Sequence, residues 1–382
     1  MSTRQNRSPA SSPSARLIDL NDLPISLIDV ELNNPPAELV GGTAVVMLGP
    51  ERGPHAAVLK VARGPLRALQ LRTQRRVLAE LAIHQGLTEE WRDLVPRILA
   101  FDERRDATVW VESYQPGLDL AEVLARHPDR VDELTAEALS AIAPLHRRTA
   151  TFVIVDNVCL LRRWVIEPLA DLTDMCQRLD PGLVPEVDRL GKLLRQALIG
   201  WRMPVSWTHG DYSPGNVRVA GAQGPVTGIV EWGGARPGQL ALIDEYLMIL
   251  TVSYLVEGAD LGTVVAERLR AGGLSDRERT VLRAARDRAD AEIGLHERIN
   301  ERIDERIAIL LTWLHHVADV WRKRATRPNQ HIWWATNAAP VLDAVAAGHG
   351  LDVSSASTRS GRGGAPMTTS RPAKVAAQAP GN

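Results

Sequence analysis

The segment His209–Asn216 constrains the fold of this chain more than any other. It reads His-Gly-Asp-Tyr-Ser-Pro-Gly-Asn, so four residues separate the carboxylate of Asp211 from the amide of Asn216. Pro214 and Gly215 lie between them, and both residue types favour a tight turn. We expect that turn to bring the two side chains to one point. A carboxylate base and an oxygen ligand for a divalent cation are groups that phosphoryl transfer from a nucleotide needs.

Two further residues fit the same chemistry at a distance along the chain. Short strands at 217–219 and 226–230, joined by a Gly-rich turn, predict a hairpin that ends at Glu231. This carboxylate would be a second metal ligand, or else an ordinary solvated loop residue. Lys60 lies in the apolar strand 56–61 and could reach nucleotide phosphates. It could also be an edge residue with its amine in water.

The order of secondary structure predicts two lobes. Strands at 44–48, 56–61 and 108–113 with a helix at 66–85 predict a small sheet with one helix. After residue 118 the pattern is mainly helical, and charge-dense residues 280–324 predict one or two amphipathic helices. We divide the chain into a disordered N-terminus at 1–16, a nucleotide-binding N-lobe with hinge at 17–117, a helical C-lobe with the catalytic loop at 118–352, and a disordered tail at 353–382.

This order of motifs resembles the aminoglycoside phosphotransferase family over about residues 37–345. The resemblance implies an α+β, two-lobed protein-kinase-like fold, with Mg²⁺ and with ATP or GTP as co-substrate. It implies a small-molecule acceptor whose hydroxyl receives the γ-phosphoryl group. The implied site residues are the catalytic base Asp211, the nucleotide-binding residues Lys60, Glu112, Ser113 and Tyr114, the metal ligands Asn216 and Glu231, and His209 as structural organiser of the loop.

Within that resemblance, Glu112–Tyr114 is similar to the hinge whose backbone holds the adenine. The segment around His146 resembles a structural helix-end signature. Asp244 resembles a family aspartate that we expect to form packing and hydrogen-bonding contacts rather than to catalyse. Trp333 and Trp334 are expected in the core, with an acceptor-pocket wall as the alternative.

The chain departs from the family pattern at two positions. Glu231 stands where the family has Asp, and its extra methylene carries the carboxylate further out. Gln74 stands where the family often has a Glu that pairs with the strand lysine; a glutamine could hydrogen-bond the ammonium without adding charge. These departures keep open a second hypothesis, a catalytically weak pseudokinase that binds a nucleotide or another ligand.

Composition excludes several other classes. The formal net charge is −1, from 45 basic and 46 acidic residues, so no global field favours nucleic acid or acidic lipid. The arginine-rich run 322–324 is expected to be a solvated helix face. The acidic positions 297, 301, 304 and 305 are expected to be solvated too, with an acceptor lining for cations as the alternative.

The remaining sequence features predict a cytoplasmic protein. Two cysteines are too few for a disulfide framework or a zinc site. The N-terminus lacks the apolar region of a signal peptide. The apolar run 239–256 contains Asp244 and Glu245, which favours a buried core helix over a membrane span. We expect no nucleic-acid or membrane partner. The oligomeric state stays open.

Overall fold

The computed structural model describes residues 39–40, 43–48, 56–105, 107–156, 158–293, 303–324 and 330–348. The predicted disordered ends, Gly41–Gly42 and the turn at 49–54 lie outside the described residues. Within them the chain is an α+β protein in which a strand-rich part precedes a helix-rich part. Its strands are β1 Leu39–Val40, β2 Thr43–Leu48, β3 Ala57–Arg63, β4 Ile98–Glu103, β5 Ala107–Ser113, β6 Leu118–Asp119, β7 Thr151–Ile154, β8 Arg202–Thr208, β9 Val217–Val219, β10 Val226–Ile229 and β11 Arg236–Gln239.

Most of the helices follow β5 in the chain. Short helical turns at Pro128–Arg130, Arg162–Ile166, Pro181–Leu183, Pro214–Asn216 and Trp232–Gly234 connect longer elements. The α-helices are α1 Pro65–Ile83, α2 Glu89–Arg92, α3 Leu120–Arg126, α4 Val131–Arg148, α5 Glu167–Leu179, α6 Val184–Leu198, α7 Leu242–Glu257, α8 Leu261–Arg270, α9 Asp276–Ile293, α10 Glu305–Arg324, α11 Gln330–Asn337 and α12 Ala339–Ala346.

The N-lobe is a five-stranded antiparallel sheet with strand order β1-β2-β3-β5-β4. Strand β3 is buried on both faces, and its side chains alternate between them. Leu59 and Val61 join a small apolar cluster with Val109 and Val111 of β5. Lys60 points to the other face, which α1 covers. One polar residue in an apolar strand is therefore delivered to the side of the sheet where the helix lies.

In the C-lobe, two three-stranded antiparallel sheets frame the segment His209–Asn216. One has the order β10-β9-β6 and the other β11-β8-β7. The chain runs from the end of β8 through residues 209–216 directly into β9, so the segment His209–Asn216 joins the two sheets. Both ends of the segment are consequently fixed by strand pairing.

The apolar run after β11 is a core helix, as predicted from its two acids. Residues 242–253 of α7 are all buried, including Asp244 and Glu245. Across the described ranges no single helix is long and apolar enough to span a membrane; α7 and α8 reach that criterion only as a pair, by length and composition, and the pair is bent by 107°. Trp334 is also buried in the core, as expected, and Trp333 packs partly buried against it.

Candidate active site

The segment after β8 folds into a closed loop. Asn216 ends a 3₁₀ turn that begins at Pro214, and its backbone N–H donates to Ser213 O at 3.0 Å. Its side-chain Nδ2 donates to the backbone carbonyl of Asp211 at 2.7 Å. This bond holds the Asn216 side chain against the backbone of Asp211; that both side chains face one point stays a prediction.

Asp244 anchors the start of this loop from the first turn of α7. Its Oδ2 accepts from the backbone N–H of His209 at 2.7 Å, and its Oδ1 accepts from that of Gly210 at 2.8 Å. The ring Nε2 of His146 lies 2.9 Å from the same carboxylate. Asp244 is fully buried. A buried carboxylate needs such donors, so the contacts agree with a hydrogen-bonding rather than a catalytic residue.

The imidazole of His209 links the loop to the β9–β10 hairpin. Its Nδ1 accepts from the backbone N–H of Asp211 at 3.3 Å, which places the ring proton on Nε2. Nε2 then donates to Val230 O at 2.8 Å. The fully buried ring also meets Trp232 edge-on at a centroid distance of 4.7 Å. His209 therefore holds the loop and the hairpin end together by hydrogen bonds and by packing.

A glycine is required at position 210 because the loop lies very close to the turn at Trp232–Gly234. Its φ is 78°, in the left-handed region, and a Cβ at this position would lie 2.4 Å from Gly234 O. Any side chain would push the loop away from the turn at Trp232–Gly234.

Glu231 lies beside the loop in a strained conformation. The backbone N–H of Val230 donates to Asn216 O at 2.9 Å, so the residue after Val230 adjoins Asn216. Glu231 has φ 65° and ψ 50°, and among the described residues it is the one non-glycine residue with positive φ. Such backbone strain is concentrated at functional sites. The structure therefore brings the hairpin acid to the catalytic loop, as the sequence predicted.

Lys60 connects this acid to the N-lobe. Its ammonium lies 2.7 Å from Glu231 Oε1 and 2.9 Å from Glu112 Oε1. Lys60 is opposite Trp110 in the β3–β5 register, and Glu112 follows two residues later on the same face. The Lys60 and Glu112 side chains are almost fully buried, whereas that of Glu231 is half exposed. The lysine thus has its amine in an ion-pair cluster and not in water.

Gln74 takes part in this cluster through an unexpected partner. Its Nε2 donates to Glu112 Oε2 at 3.2 Å instead of contacting the ammonium of Lys60. Trp110 Nε1 donates to the same oxygen at 2.8 Å. The acid that pairs with Lys60 in the N-lobe is therefore Glu112 of β5. Helix α1 supplies Gln74, a neutral donor that orients the Glu112 carboxylate. The sequence placed Glu112 in the hinge but gave no sign of this side-chain contact.

The charges of the cluster set its protonation. Burial disfavours the charged form of Lys60, but Glu112 and Glu231 outweigh burial and raise the pKa of the ammonium. Burial likewise opposes ionisation of Glu231, yet the Lys60 charge holds the pKa of that carboxyl below its ordinary value. For Glu112, burial wins over Lys60 and raises the pKa. At neutral pH, Lys60 is therefore charged and Glu231 ionised.

Asp211 has a second lysine as its partner. Lys323 of α10 places Nζ 3.3 Å from Asp211 Oδ2 and 2.6 Å from Asp319 Oδ2. Burial would raise the pKa of Asp211, but Lys323, together with His316 and His209, outweighs burial and the pKa falls below its usual value. Sequence reasoning missed this contact, because Lys323 lies 112 residues from Asp211 in a run expected to be a solvated face.

The hinge residues after β5 are partly engaged within the protein. The backbone N–H of Ser113 donates to Arg97 O at 2.8 Å, and that of Tyr114 donates to Ala56 O at 3.1 Å. These two backbone N–H groups are therefore already paired, and a nucleotide base at the hinge would have to contact other groups.

A divalent cation fits the chemistry of the loop. In the parts of the chain that the structure describes, no group of three or more His, Cys, Asp or Glu side chains could hold a metal ion by itself. Asn216 and Glu231, however, carry an amide oxygen and a carboxylate, and the backbone N–H of Val230, the residue before Glu231, donates to Asn216 O. These are hard oxygen donors of the kind that Mg²⁺ prefers, and Mg²⁺ usually adds substrate phosphates and water to one or two protein ligands.

Several solved structures resemble this chain. Aminoglycoside phosphotransferase APH(3'')-Id from Streptomyces rimosus is 15% identical, covers 76% of this chain and 98% of that one, and gives a TM-score of 0.44. A thermostable mutant of aminoglycoside phosphotransferase APH(4)-Ia, in ternary complex with ADP and hygromycin B, is 12% identical over 89% and 99% of the two chains, with a TM-score of 0.47. A glucosamine kinase is 19% identical over 75% and 72%, with a TM-score of 0.41.

No curated protein sequence matches the chain. The sequence model of the phosphotransferase enzyme family, APH, matches residues 42–279, which is more than half of the 382 residues, and the chain therefore belongs to this family.

Proposed function

We propose that this protein transfers the γ-phosphoryl group of ATP or GTP to a hydroxyl of a small molecule. The observation that carries the proposal is a chain of contacts: Asn216 hydrogen-bonds to the backbone of Asp211, the residue before Glu231 bonds to Asn216, and Glu231 pairs with the buried ammonium of Lys60. In phosphoryl transfer the protein mainly positions reactants and stabilises charge. A base, two oxygen ligands and a fixed cation in one place support that reaction.

In this proposal Asp211 is the catalytic base. Its lowered pKa keeps the carboxylate ionised at neutral pH, so it can accept the proton of an acceptor hydroxyl. The hydroxyl oxygen then bonds to the γ-phosphorus, and the bond from phosphorus to the nucleoside diphosphate breaks. Lys323 must release Asp211 Oδ2, or share it, when the hydroxyl binds. His209 and Asp244 hold the loop in the geometry that Asp211 needs.

The other residues serve the nucleotide. Lys60 would contact its phosphates, and the hinge Glu112–Tyr114 would lie against its base. Asn216 and Glu231 would hold Mg²⁺, which neutralises charge on the phosphate oxygens when it is bound. Glu231 is already paired with Lys60, and a bound nucleotide would draw the lysine towards its phosphates.

The contact between Glu231 and Lys60 also favours a second candidate, a nucleotide- or ligand-binding protein with little turnover. Glu231 Oε1 lies 2.7 Å from the ammonium, and this pairing competes with a metal for the carboxylate. The two candidates differ in whether any acceptor is phosphorylated.

The test uses the full chain with ATP or GTP, Mg²⁺ and a panel of hydroxylated metabolites and antibiotics, with products detected by mass. Asp211→Asn should lower kcat by about 10²–10⁴-fold, the usual contribution of a positioned base, while ADP binding is retained. Asp188→Asn, at an exposed position of α6, is the matched control. Turnover that survives Asp211→Asn unchanged contradicts the proposal. ADP binding without any phosphorylated product favours the binding protein.

A further inference from the structure

Among the described residues, two arginines near the segment 209–216 form no ion pair with an acid. Arg236 begins β11 opposite Thr208, the residue before His209, and its Nε donates to Gly234 O at 3.4 Å. Arg163 donates from Nη1 to Pro237 O at 3.1 Å, which places it beside Arg236. Both residues are exposed. Among the residues that the structure describes, neither guanidinium forms an ion pair with a carboxylate.

Helix α10 adds positive charge to the same side of the loop. Lys323 contacts Asp211 at 3.3 Å, and the preceding residue, Arg322, pairs with Asp171 of α5 at 3.3 Å. Burial, followed by the charge of Arg322, lowers the pKa of Arg236. Like charge beside a guanidinium is unfavourable, Asp319 and Glu167 offset only part of it for Arg236, and an anion at this point would relieve the rest.

His315 reports the same environment. Burial and the neighbouring charges of Arg236 and Arg322 lower the pKa of this imidazole to about 4, against a backbone contact with Trp164 O that favours its charged form. The ring is therefore neutral at physiological pH. It therefore adds no charge to Arg236 and Arg322, both of which act on it.

The acids in this region are already engaged. Asp319 lies 2.6 Å from Lys323 Nζ, and Glu167 lies 3.2 Å from Arg162 Nε. With Asp171 on Arg322, no acid among the described residues is left in ion-pair contact with Arg163 or Arg236, although Asp319 and Glu167 act on Arg236 from further away. The surface around Arg236 and Arg163, which adjoins the segment 209–216 through Thr208 and Gly234, therefore offers two guanidinium groups to an anion.

The acidic positions that the sequence offered for cationic acceptors do not change this balance. Asp304 pairs with Arg306 at 2.9 Å, and Glu305 pairs with Arg279 at 3.0 Å. The other two positions, 297 and 301, lie outside the described residues. The described acids of this group are thus surface ion-pair partners.

We propose that the acceptor carries an anionic group, a carboxylate or a phosphate, which Arg236 and Arg163 bind while its hydroxyl faces Asp211. The inference rests on the proposed function, since it assigns the acceptor class of that same site. Guanidinium groups bind both anions through paired N–H donors, so the two sources share one recognition chemistry. A polycationic acceptor would meet like charge at the same position.

The test compares four probes with one sugar skeleton: glucose, glucosamine, glucuronate and glucose 6-phosphate. Their affinities for the full chain are measured by calorimetry at constant ionic strength with saturating ADP, so that the anions do not compete for the nucleotide site. Arg236→Gln and Arg163→Gln are compared with Arg76→Gln, a control whose side chain is 73% exposed on α1. Each charge-assisted contact is expected to change affinity by about tenfold.

We expect at least one anionic probe to bind about tenfold or more tighter than glucose. Arg236→Gln and Arg163→Gln should remove that preference, and Arg76→Gln should keep it. The carboxylate and phosphate arms show which anion the site takes. Glucosamine binding as tightly as both anions, no binding of either anion, or a preference that both variants leave intact would overturn the inference. A wild-type chain that does not bind ADP would instead contradict the proposed function.

Discussion

Two lysines contact the proposed site, and they differ in their surroundings. Lys60 is almost fully buried between Glu112 and Glu231, at 2.9 and 2.7 Å. Lys323 is 38% exposed and lies 3.3 Å from Asp211. The first lysine is fixed by strand pairing on both sides of β3. The second extends from the last turn of a helix and can move into water.

The difference in burial indicates that the Lys60 contacts are part of the folded structure, whereas the Lys323 contact can be exchanged for substrate. A buried charge has lost its water and depends on its partners, whereas an exposed pair contributes little to stability. The Lys60 cluster should therefore resist change, and the Lys323 contact should open at small cost. This matches the proposed roles, because Asp211 must become accessible to an acceptor hydroxyl.

The largest effect is expected from Lys60→Met. The change leaves Glu112 buried without its cation, and breaking a buried pair in this way costs about 3–5 kcal/mol in the free energy of unfolding. Nucleotide affinity should fall as well, because the proposed phosphate contact is lost. Chemical denaturation and ADP titration measure the two effects.

The double variant Lys60→Met with Glu112→Gln separates charge from packing. Replacing Glu112, which has lost its cation, should restore most of the free energy of unfolding, while ADP affinity stays low. If the double variant is as unstable as the single one, the loss comes from packing and the cluster is not an electrostatic unit. If both variants bind ADP as tightly as the wild-type chain, Lys60 does not serve the nucleotide.

A smaller effect is expected from Glu231→Asp. Aspartate adopts left-handed backbone conformations more readily than glutamate, so φ 65° should be less strained. Its shorter side chain also gives up the Lys60 contact, at a stability cost of about 1 kcal/mol. We expect Mg²⁺-dependent turnover to rise by a few-fold, roughly 1 kcal/mol or less of activation free energy. Initial rates over a range of Mg²⁺ concentrations measure it.

The matched control is Glu122→Asp, an exposed change of the same kind in α3 whose turnover should equal that of the wild-type chain. A loss of turnover in Glu231→Asp would show that the longer side chain suits this loop. Absence of turnover in both wild-type and Glu231→Asp chains would support the binding protein.

Much of the fold followed from local patterns. Alternation and helical periodicity of apolar residues depend only on neighbouring positions. They predicted the β2–β3 hairpin, α1, β5 and the β9–β10 hairpin. The two-lobed α+β class and the family resemblance are confirmed. Strands β7, β8 and β11 were not predicted. Their partners are distant, since β7 pairs with β8 across about fifty residues, and the short edge strands β7 and β11 lack a strong pattern of their own.

The site residues, too, were predicted where local sequence brings them together and missed where distant segments meet. Asp211, Asn216 and Glu231 were found because a turn and a hairpin bring them together within one short segment. The acid that holds Lys60 was missed, since Glu112 meets it through strand register and Gln74 only orients that acid. Lys323 was missed because α10 reaches Asp211 through tertiary packing alone. The domain limits and the roles of the site residues remain predictions.

The smallest effect is expected from Lys323→Gln, and it tests the exposed half of the comparison. Since the pair is partly exposed, its loss should change the free energy of unfolding by about 1 kcal/mol or less. Its effect on protonation is clearer. Burial raises the pKa of Asp211, but Lys323, with His316 and His209, holds it below its ordinary value, so activity that needs the carboxylate ionised is lost only as pH falls through that lowered pKa.

Without the lysine, burial remains and raises the pKa of Asp211, so the acid limb of the rate profile should move to higher pH. At neutral pH the rate should stay within about threefold of wild type, because the carboxylate is still ionised there. Rates measured across the acidic range check this, with Lys192→Gln, an exposed lysine of α6, as the control. An unshifted acid limb would mean that Lys323 does not set the charge of Asp211. A loss of stability as large as that of Lys60→Met would remove the distinction between the fixed and the exchangeable lysine.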